Sequence, residues 1–337
     1  MLIAGNTLRV LVTGGAGFIG SHLTDHLAGL GCRVTVLDNL VNGRRENLAD
    51  ALATGQVELV VGDITDAATC DRVVPGHDVV FHLACLGVRA SLHDPFSNHQ
   101  VNALGSLNLL AAARLAGTKR FVYISTSEVY GKALEFPLTE KATTWPTTVY
   151  GGSKLAGEHY AAAYHECYGL PTIRIRPFNN YGPRAHFEGD SGEVIPRFML
   201  RALAGHAPIV FGDGAHTRDF LFVRDCAEAM VKIAETDALV GGLVNLGYGE
   251  EIRIGDLGRL VLEATGRTEL KVEFAAERPG DVPRLWVDPA KLRAATGWKP
   301  RTPLAAGLRL TLEYYQKLYA ANPRCLEQMT TKNWERK

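Results

Sequence analysis

Two side chains four residues apart, Tyr150 and Lys154, carry the clearest chemical signal in the chain. On a helix that spacing sets both on one face. A tyrosine has an ordinary pKa of about 10 and is a poor base at neutral pH. An ammonium beside it favours the phenolate, and a positively charged nicotinamide would favour it further. Such a phenolate takes the proton of a substrate hydroxyl while hydride leaves the same carbon for a cofactor. Thr126 offers a hydroxyl to the same oxygen. Glu128 follows two residues later, with Ser127 between them. Tyr-x-x-x-Lys alone is common by chance, so its weight comes from what surrounds it.

The elements that must position these groups can be read around them. Arg120 to Ile124 is a β-rich run, and Ser125, Thr126, Ser127 and Glu128 fall at its C-terminal end. After a proline-bearing loop, Tyr150-Gly151-Gly152-Ser153-Lys154 opens a helical pattern. Far upstream, the strand-like run Leu8 to Thr13 is followed at once by Gly14-Gly15-Ala16-Gly17-Phe18-Ile19-Gly20. Ile19, Leu23, His26, Leu27 and Leu30 then recur at helical spacing, and Gly31 closes the helix. A second strand, Arg33 to Leu37, ends at Asp38. Gly14 permits a tight turn, Gly17 lets the backbone approach a pyrophosphate at the helix N-terminus, and Gly20 lets the helix pack on the sheet. Asp38 accepts hydrogen bonds from a ribose diol and repels a 2′-phosphate, which favours NAD over NADP. Arg44 nearby leaves NADP open. A glycine turn that merely packs is the bland alternative, but strand, helix and acid all stand where a dinucleotide needs them.

Strand-like runs continue at Val57–Val61, Val79–Leu83, Phe121–Ser125 and Thr172–Arg176, most of them separated by helical patterns. Leu104, Leu107, Leu110 and Ala111 are expected to form one helix face ending near Gly117. The alternation predicts an α/β fold with a doubly wound parallel sheet of Rossmann type, whose ligands bind beyond the strand C-termini. Asp63-Ile64, His82-Leu83-Ala84-Cys85 and Ser125-Thr126 all fall at such ends, with Asp63-Ile64 placed to contact an adenine. After Arg176 the pattern changes to a mixed region, with a helix at Val194–Leu203, a strand and turn at Ile209–Gly214, and helices near 224–235, 255–265 and 303–319. The expected division is 1–177 as the dinucleotide domain, with a return segment near 219–236. A smaller mixed α/β substrate domain follows at 178–320, and 321–337 is a loosely held polar tail.

The chain has 337 residues, with 36 Lys and Arg against 36 Asp and Glu. The balanced charge argues against nucleic-acid or membrane-surface binding, which asks for a basic patch. The six cysteines form no C-x-x-C pair and read as reduced, idle thiols; no metal site is expected. No apolar run approaches the ~20 residues of a membrane span, and residues 1–6 do not read as a secretory signal. A cytoplasmic protein is expected.

Over roughly residues 8–320 the sequence resembles the extended short-chain dehydrogenase/reductases that modify nucleotide sugars. The motifs are Gly14-x-x-Gly17-x-x-Gly20, Asp38, Asp63-Ile64, His82-Leu83-Ala84, Asn102, Thr126, Tyr150-x-x-x-Lys154, Phe178-Asn179, Tyr181-Gly182-Pro183-Arg184, Arg218-Asp219-Phe220 and Arg278-Pro279-Gly280-Asp281. The resemblance implies a tightly held, recycled NAD and transient oxidation of the sugar at C4. It implies cofactor contacts from Gly14, Gly17, Phe18, Ile19, Gly20, Asp38, Asn39, Asp63, Ile64, Leu83, Ala84, Asn102 and Ser125, together with Tyr150 and Lys154. Asn102 would order the lysine through water or backbone. Asn179, Arg218 and Arg278 resemble diphosphate ligands, Val194 and Phe211 resemble parts of the nucleotide pocket, and Arg184 is a candidate clamp for a sugar carboxylate. A homodimer through helices near 98–116 and 151–168 is usual in such families.

A 4-ketone acidifies the hydrogen on C5. An enzyme that eliminates the 6-hydroxyl needs a base there, and Glu128 is that candidate. Thr126-Ser127-Glu128 resembles the triplet of GDP-mannose 4,6-dehydratases, some N-acetylhexosamine dehydratases and UDP-glucuronate decarboxylases. The dTDP-glucose dehydratases carry an aspartic acid where Ser127 stands. The lead expectation is 4,6-dehydration of a UDP-, GDP- or dTDP-linked hexose, with 4-epimerisation close behind and decarboxylation third. A non-catalytic NAD-sensing protein is the alternative from another class, and the Tyr150–Lys154 pair argues against it.

Overall fold

The computed structural model describes residues 8–189, 191–277 and 282–330. The β-rich runs become strands β1 (Arg9–Thr13), β2 (Arg33–Asp38), β3 (Val57–Val61), β4 (Val79–His82), β5 (Arg120–Ile124) and β6 (Thr172–Pro177). They pair in parallel in the order β6-β5-β4-β1-β2-β3, and a seventh strand, Leu243–Leu246, adds in parallel beside β6. The strand order reverses between β1 and β4, which opens a crevice at the strand C-termini. Successive residues of β1 face opposite sides: Val10 and Val12 join one core layer, with the Phe18–Gly29 and Val223–Ala234 helices. Leu11 joins the other, with Leu109, Leu110 and Tyr123. Both faces of the sheet are thus covered, as its near-continuous apolar strands require.

The seventh strand extends the return segment beyond the expected 219–236. Its run, Leu243-Val244-Asn245-Leu246, is short and interrupted by a polar residue, so it carries little periodic signal. A second difference lies before Gly117. Residues Gln100–Gly105 form a wide π-helical turn before the Ser106–Leu115 helix. That turn shifts the register, so the buried face is Leu109, Leu110, Ala112 and Ala113, and Leu104 is 45% exposed.

The smaller lobe packs the Val194–Leu203, Ile254–Ala264 and Leu304–Ala321 helices around Phe187, Phe198, Met199, Phe220, Phe222 and Tyr315. The chain beyond 321 is not loose over the described residues. Pro323–Gln328 forms a 3-10 turn with Cys325 fully buried, Gly189 N–H donates to Gln328 O at 2.8 Å, and Arg197 Nη2 donates to Thr330 O at 2.6 Å. Tail polarity read residue by residue hides that one side of this turn is apolar.

Candidate active site

One cavity of about 1200 Å³ runs from the C-termini of β1 and β2, past β5, into the smaller lobe. Its first stretch has the shape a dinucleotide needs. Gly14 has φ +72°, and a Cβ there would stand 2.6 Å from Ala84 N, so only glycine lets the turn pass β4. No side chain caps the helix that begins at Phe18, which leaves its N-terminal amides open to an anion. Asp38 lines the cavity and accepts from Ala16 N–H at 3.0 Å and Leu40 N–H at 2.8 Å. Burial pushes its carboxyl up, and those two bonds oppose the push. Asn39 donates to Asp63 at 2.8 Å. Burial pushes the Asp63 carboxyl up, but hydrogen bonds from Thr65 and Asn39 outweigh it and hold Asp63 below the usual range. Arg44, which left NADP open, is paired with Glu188 across the cleft.

Gly17, Phe18, Ile19, Gly20, Ile64, Leu83, Ala84 and Ser125 line the same cavity. Ser125 Oγ is buried without a protein partner among the described residues, a group suited to a ligand. Asn102 does not line it. Its amide instead binds Leu86 at 2.9 Å in both directions and donates to Ser153 Oγ at 3.1 Å, fastening the loop after β4 to the Val149–Tyr168 helix. Its place is behind the cofactor wall.

The Val149–Tyr168 helix carries Tyr150 and Lys154 into the cavity. Thr148 caps its start by accepting from Gly151 N–H at 3.1 Å. Gly151 is needed for close approach, because a Cβ there would lie 2.9 Å from Glu128 O. Deeper along the helix, Arg176 of β6 makes a two-pronged pair with buried Glu158 at 3.0 and 2.6 Å. Tyr123 of β5 donates to Lys154 O at 2.9 Å, and the Lys154 ammonium lies 4.5 Å over the Tyr123 ring. The turn Ser127–Val129 is capped by Thr126, whose Oγ1 accepts from Glu128 N–H at 3.2 Å. This brings Tyr150, Lys154, Thr126, Ser127 and Glu128 to one wall.

The electrostatics differ from the expectation that Lys154 lowers the Tyr150 pKa. Burial pushes the Tyr150 phenol up; the Cys85 thiol and Glu128 push the same way, and the Thr126 hydrogen bond opposes them. Burial also pulls the Lys154 ammonium down, against Cys85 and Glu158. Desolvation is the largest influence on the phenol, and Lys154 is not among the groups that oppose it. Cys85 lines the cavity beside both groups.

On the substrate side Asn179, Val194, Phe211 and Arg218 line the cavity. Arg184 does not. It is turned to the Phe18–Gly29 helix, where Nη1 lies 2.6 Å from Asp25 Oδ2, and it is corrected from carboxylate clamp to structural tie. Arg278, with the rest of its motif to Asp281, lies outside the described residues. The sequence reading missed Arg89, Glu193, Arg197, Leu326 and Met329, which also line the cavity. Arg197 and Arg201, at i and i+4 on the Val194–Leu203 helix, were a findable signal; Leu326 and Met329 were not. Among the described residues no His, Cys, Asp and Glu cluster could hold a metal ion.

Fold and site together define an NAD-dependent enzyme of the extended short-chain dehydrogenase/reductase class. Residues 11–311 match the model of the GDP-mannose 4,6 dehydratase family, and the chain belongs to that family. It is 38% identical over 312 residues to a UDP-glucose 4-epimerase of Mycolicibacterium smegmatis, covering 92% of this chain and 99% of that protein. It is 35% identical over 309 residues to UDP-glucuronic acid decarboxylase 1 of Arabidopsis thaliana, covering 89% of this chain and 68% of that protein. Its fold matches a dTDP-glucose 4,6-dehydratase of Streptomyces venezuelae, solved with NAD bound, at a TM-score of 0.87 and 33% identity, covering 93% and 99% of the two chains.

Proposed function

We propose that this enzyme oxidises C4 of a nucleotide-linked hexose and then eliminates the 6-hydroxyl, a 4,6-dehydration. The observation that carries this is the single cavity wall bearing Tyr150, Thr126 and Glu128 beside the Asp38 dinucleotide cradle. NAD supplies the hydride acceptor, and its nicotinamide supplies the positive charge that the buried phenol lacks from Lys154 alone. Tyr150 takes the proton of the C4 hydroxyl, Thr126 holds the same oxygen, and Lys154 holds Tyr150 in register. Glu128 then takes the C5 proton as the C6–O bond breaks, and that proton leaves with the hydroxyl as water. The hydride removed from C4 then returns to C6 and a solvent-derived proton to C5, so that the net loss is water alone. Ser127 is a poor acid, which leaves the proton return to Glu128 or to solvent. Arg218 and Asn179 are proposed diphosphate contacts, and Phe211 and Val194 flank the nucleotide.

The second reading is 4-epimerisation. Ser127 is buried where an acid would serve elimination, and the M. smegmatis relative is named an epimerase. Decarboxylation is the third reading; Arg184, its candidate carboxylate clamp, stands outside the cavity, whereas Arg89 and Arg197 line it. Mass spectrometry of products from nucleotide hexoses, hexosamines and glucuronate tests these readings. Loss of water supports dehydration, an isomer of unchanged mass overturns it in favour of epimerisation, and loss of carbon dioxide in favour of decarboxylation.

The proposed assembly is a homodimer through the helices near 98–116 and 151–168. Leu104, Leu115 and Tyr168 are exposed there, and Leu104→Glu should give a monomer in sedimentation. Among the described residues no helix is long and apolar enough to cross a membrane. The free cysteines fit a cytoplasmic setting.

A further inference from the structure

Glu193 stands immediately before the Val194–Leu203 helix and lines the cavity in the smaller lobe. Its N–H donates to His186 O at 2.8 Å. Its carboxyl neither caps the helix nor gains a hydrogen-bond or ion-pair partner among the described residues. Burial alone pushes that carboxyl up to about 8. The titratable and charged groups around it are His186 and Glu188 on its own loop, Arg197 and Arg201 one and two turns along the helix, and Tyr315 from the Leu304–Ala321 helix. Leu326 and Met329, from the C-terminal turn, complete this wall with apolar surface.

We propose that Glu193 is a specificity-determining residue of the substrate site, donating a hydrogen bond as a neutral carboxyl to an acceptor oxygen of the bound nucleotide. The inference deepens the nucleotide-sugar reading and rests on it. An ionised carboxylate here would face the same anionic ligand that the helix N-terminus and the arginines attract, and the two negative charges would repel. A protonated carboxyl has an O–H to give. Desolvation at this wall disfavours the charge and keeps the carboxyl in that form.

The donor is present below pH about 8 and is lost as pH rises through that value. Titration calorimetry of the NAD-loaded protein with UDP, GDP and dTDP between pH 7 and 9 reads it directly, without turnover. For whichever nucleotide binds, wild-type affinity should weaken above pH 8, approaching tenfold per unit. Glu193→Gln, a permanent neutral donor, should match wild type at pH 7 and stay flat to pH 9. Glu193→Ala should bind on the order of tenfold more weakly at pH 7. An alanine variant that binds as wild type does, or a glutamine variant that keeps the wild-type pH dependence, overturns the role of Glu193 while leaving the nucleotide site standing. If the alanine variant does not fold, the glutamine comparison decides alone. Absence of binding of all three nucleotides to wild type removes the nucleotide-sugar reading itself, and the inference with it.

Discussion

Arg184 Nη1 lies 2.6 Å from Asp25 Oδ2, and the pair fastens the loop after the Asn179–Tyr181 strand to the helix that opens the dinucleotide site. His22 Nε2, at 2.9 Å from Pro183 O, and the Arg44–Glu188 pair tie the same segment down. The Arg184 guanidinium is mostly enclosed and Asp25 is about one-third exposed, so the tie is worth more than a surface pair and less than a buried one. Arg184→Ala should therefore lower the melting temperature by a few degrees, roughly 1–2 kcal/mol, and leave the product from each sugar unchanged. Loss of activity confined to a nucleotide glucuronate would return Arg184 to the site.

Tyr150→Phe removes the phenolic oxygen and little else. Turnover should fall by about 10²–10⁴-fold or more, while NAD released on denaturation should stay equal to wild type, because the cradle from Gly14 to Asp38 is untouched. Full activity in this variant would refute the assignment of the base.

The dinucleotide half and the catalytic wall were legible because their constraints are local. A glycine at φ +72° must be Gly14, an acid must close β2, and i,i+4 spacing must place Tyr150 with Lys154. Placement set by tertiary contact was not legible. Nothing near Arg184 in sequence announces Asp25, 159 positions away. Nothing near Asn102 announces that its partners are Leu86 and Ser153 rather than the cofactor. The charge state of Tyr150 also escaped a reading of neighbours, because burial is a property of the whole fold.

The turn Pro323–Gln328 closes the substrate end of the cavity through Leu326, with Met329 just beyond it, held by Gly189 and by Arg197 through Thr330. Truncation after Asn322 should raise KM for the nucleotide sugar at least several-fold while NAD stays bound, since the turn is fastened to Gly189 and Arg197 of the smaller lobe. Leu326→Ala with Met329→Ala should do the same with less loss of stability. An unchanged KM in the double variant would make the turn a structural plug only.

Glu128 decides between the two leading reactions, and its effect can be separated from oxidation at C4. It lines the cavity two residues after Thr126 and packs its backbone against Gly151, so Glu128→Gln should keep the turn intact. If Glu128 is the C5 base, this variant still oxidises C4, seen as reduced-nicotinamide absorbance on mixing with substrate. It then stalls, with dehydration slowed by about 10²–10⁴-fold and no deuterium entering C5 from heavy water. In an epimerase no base acts at C5, so wild type itself shows no C5 exchange and the variant keeps turnover within about tenfold. Exchange at C5 that persists in the glutamine variant would assign the base to another residue on the same wall.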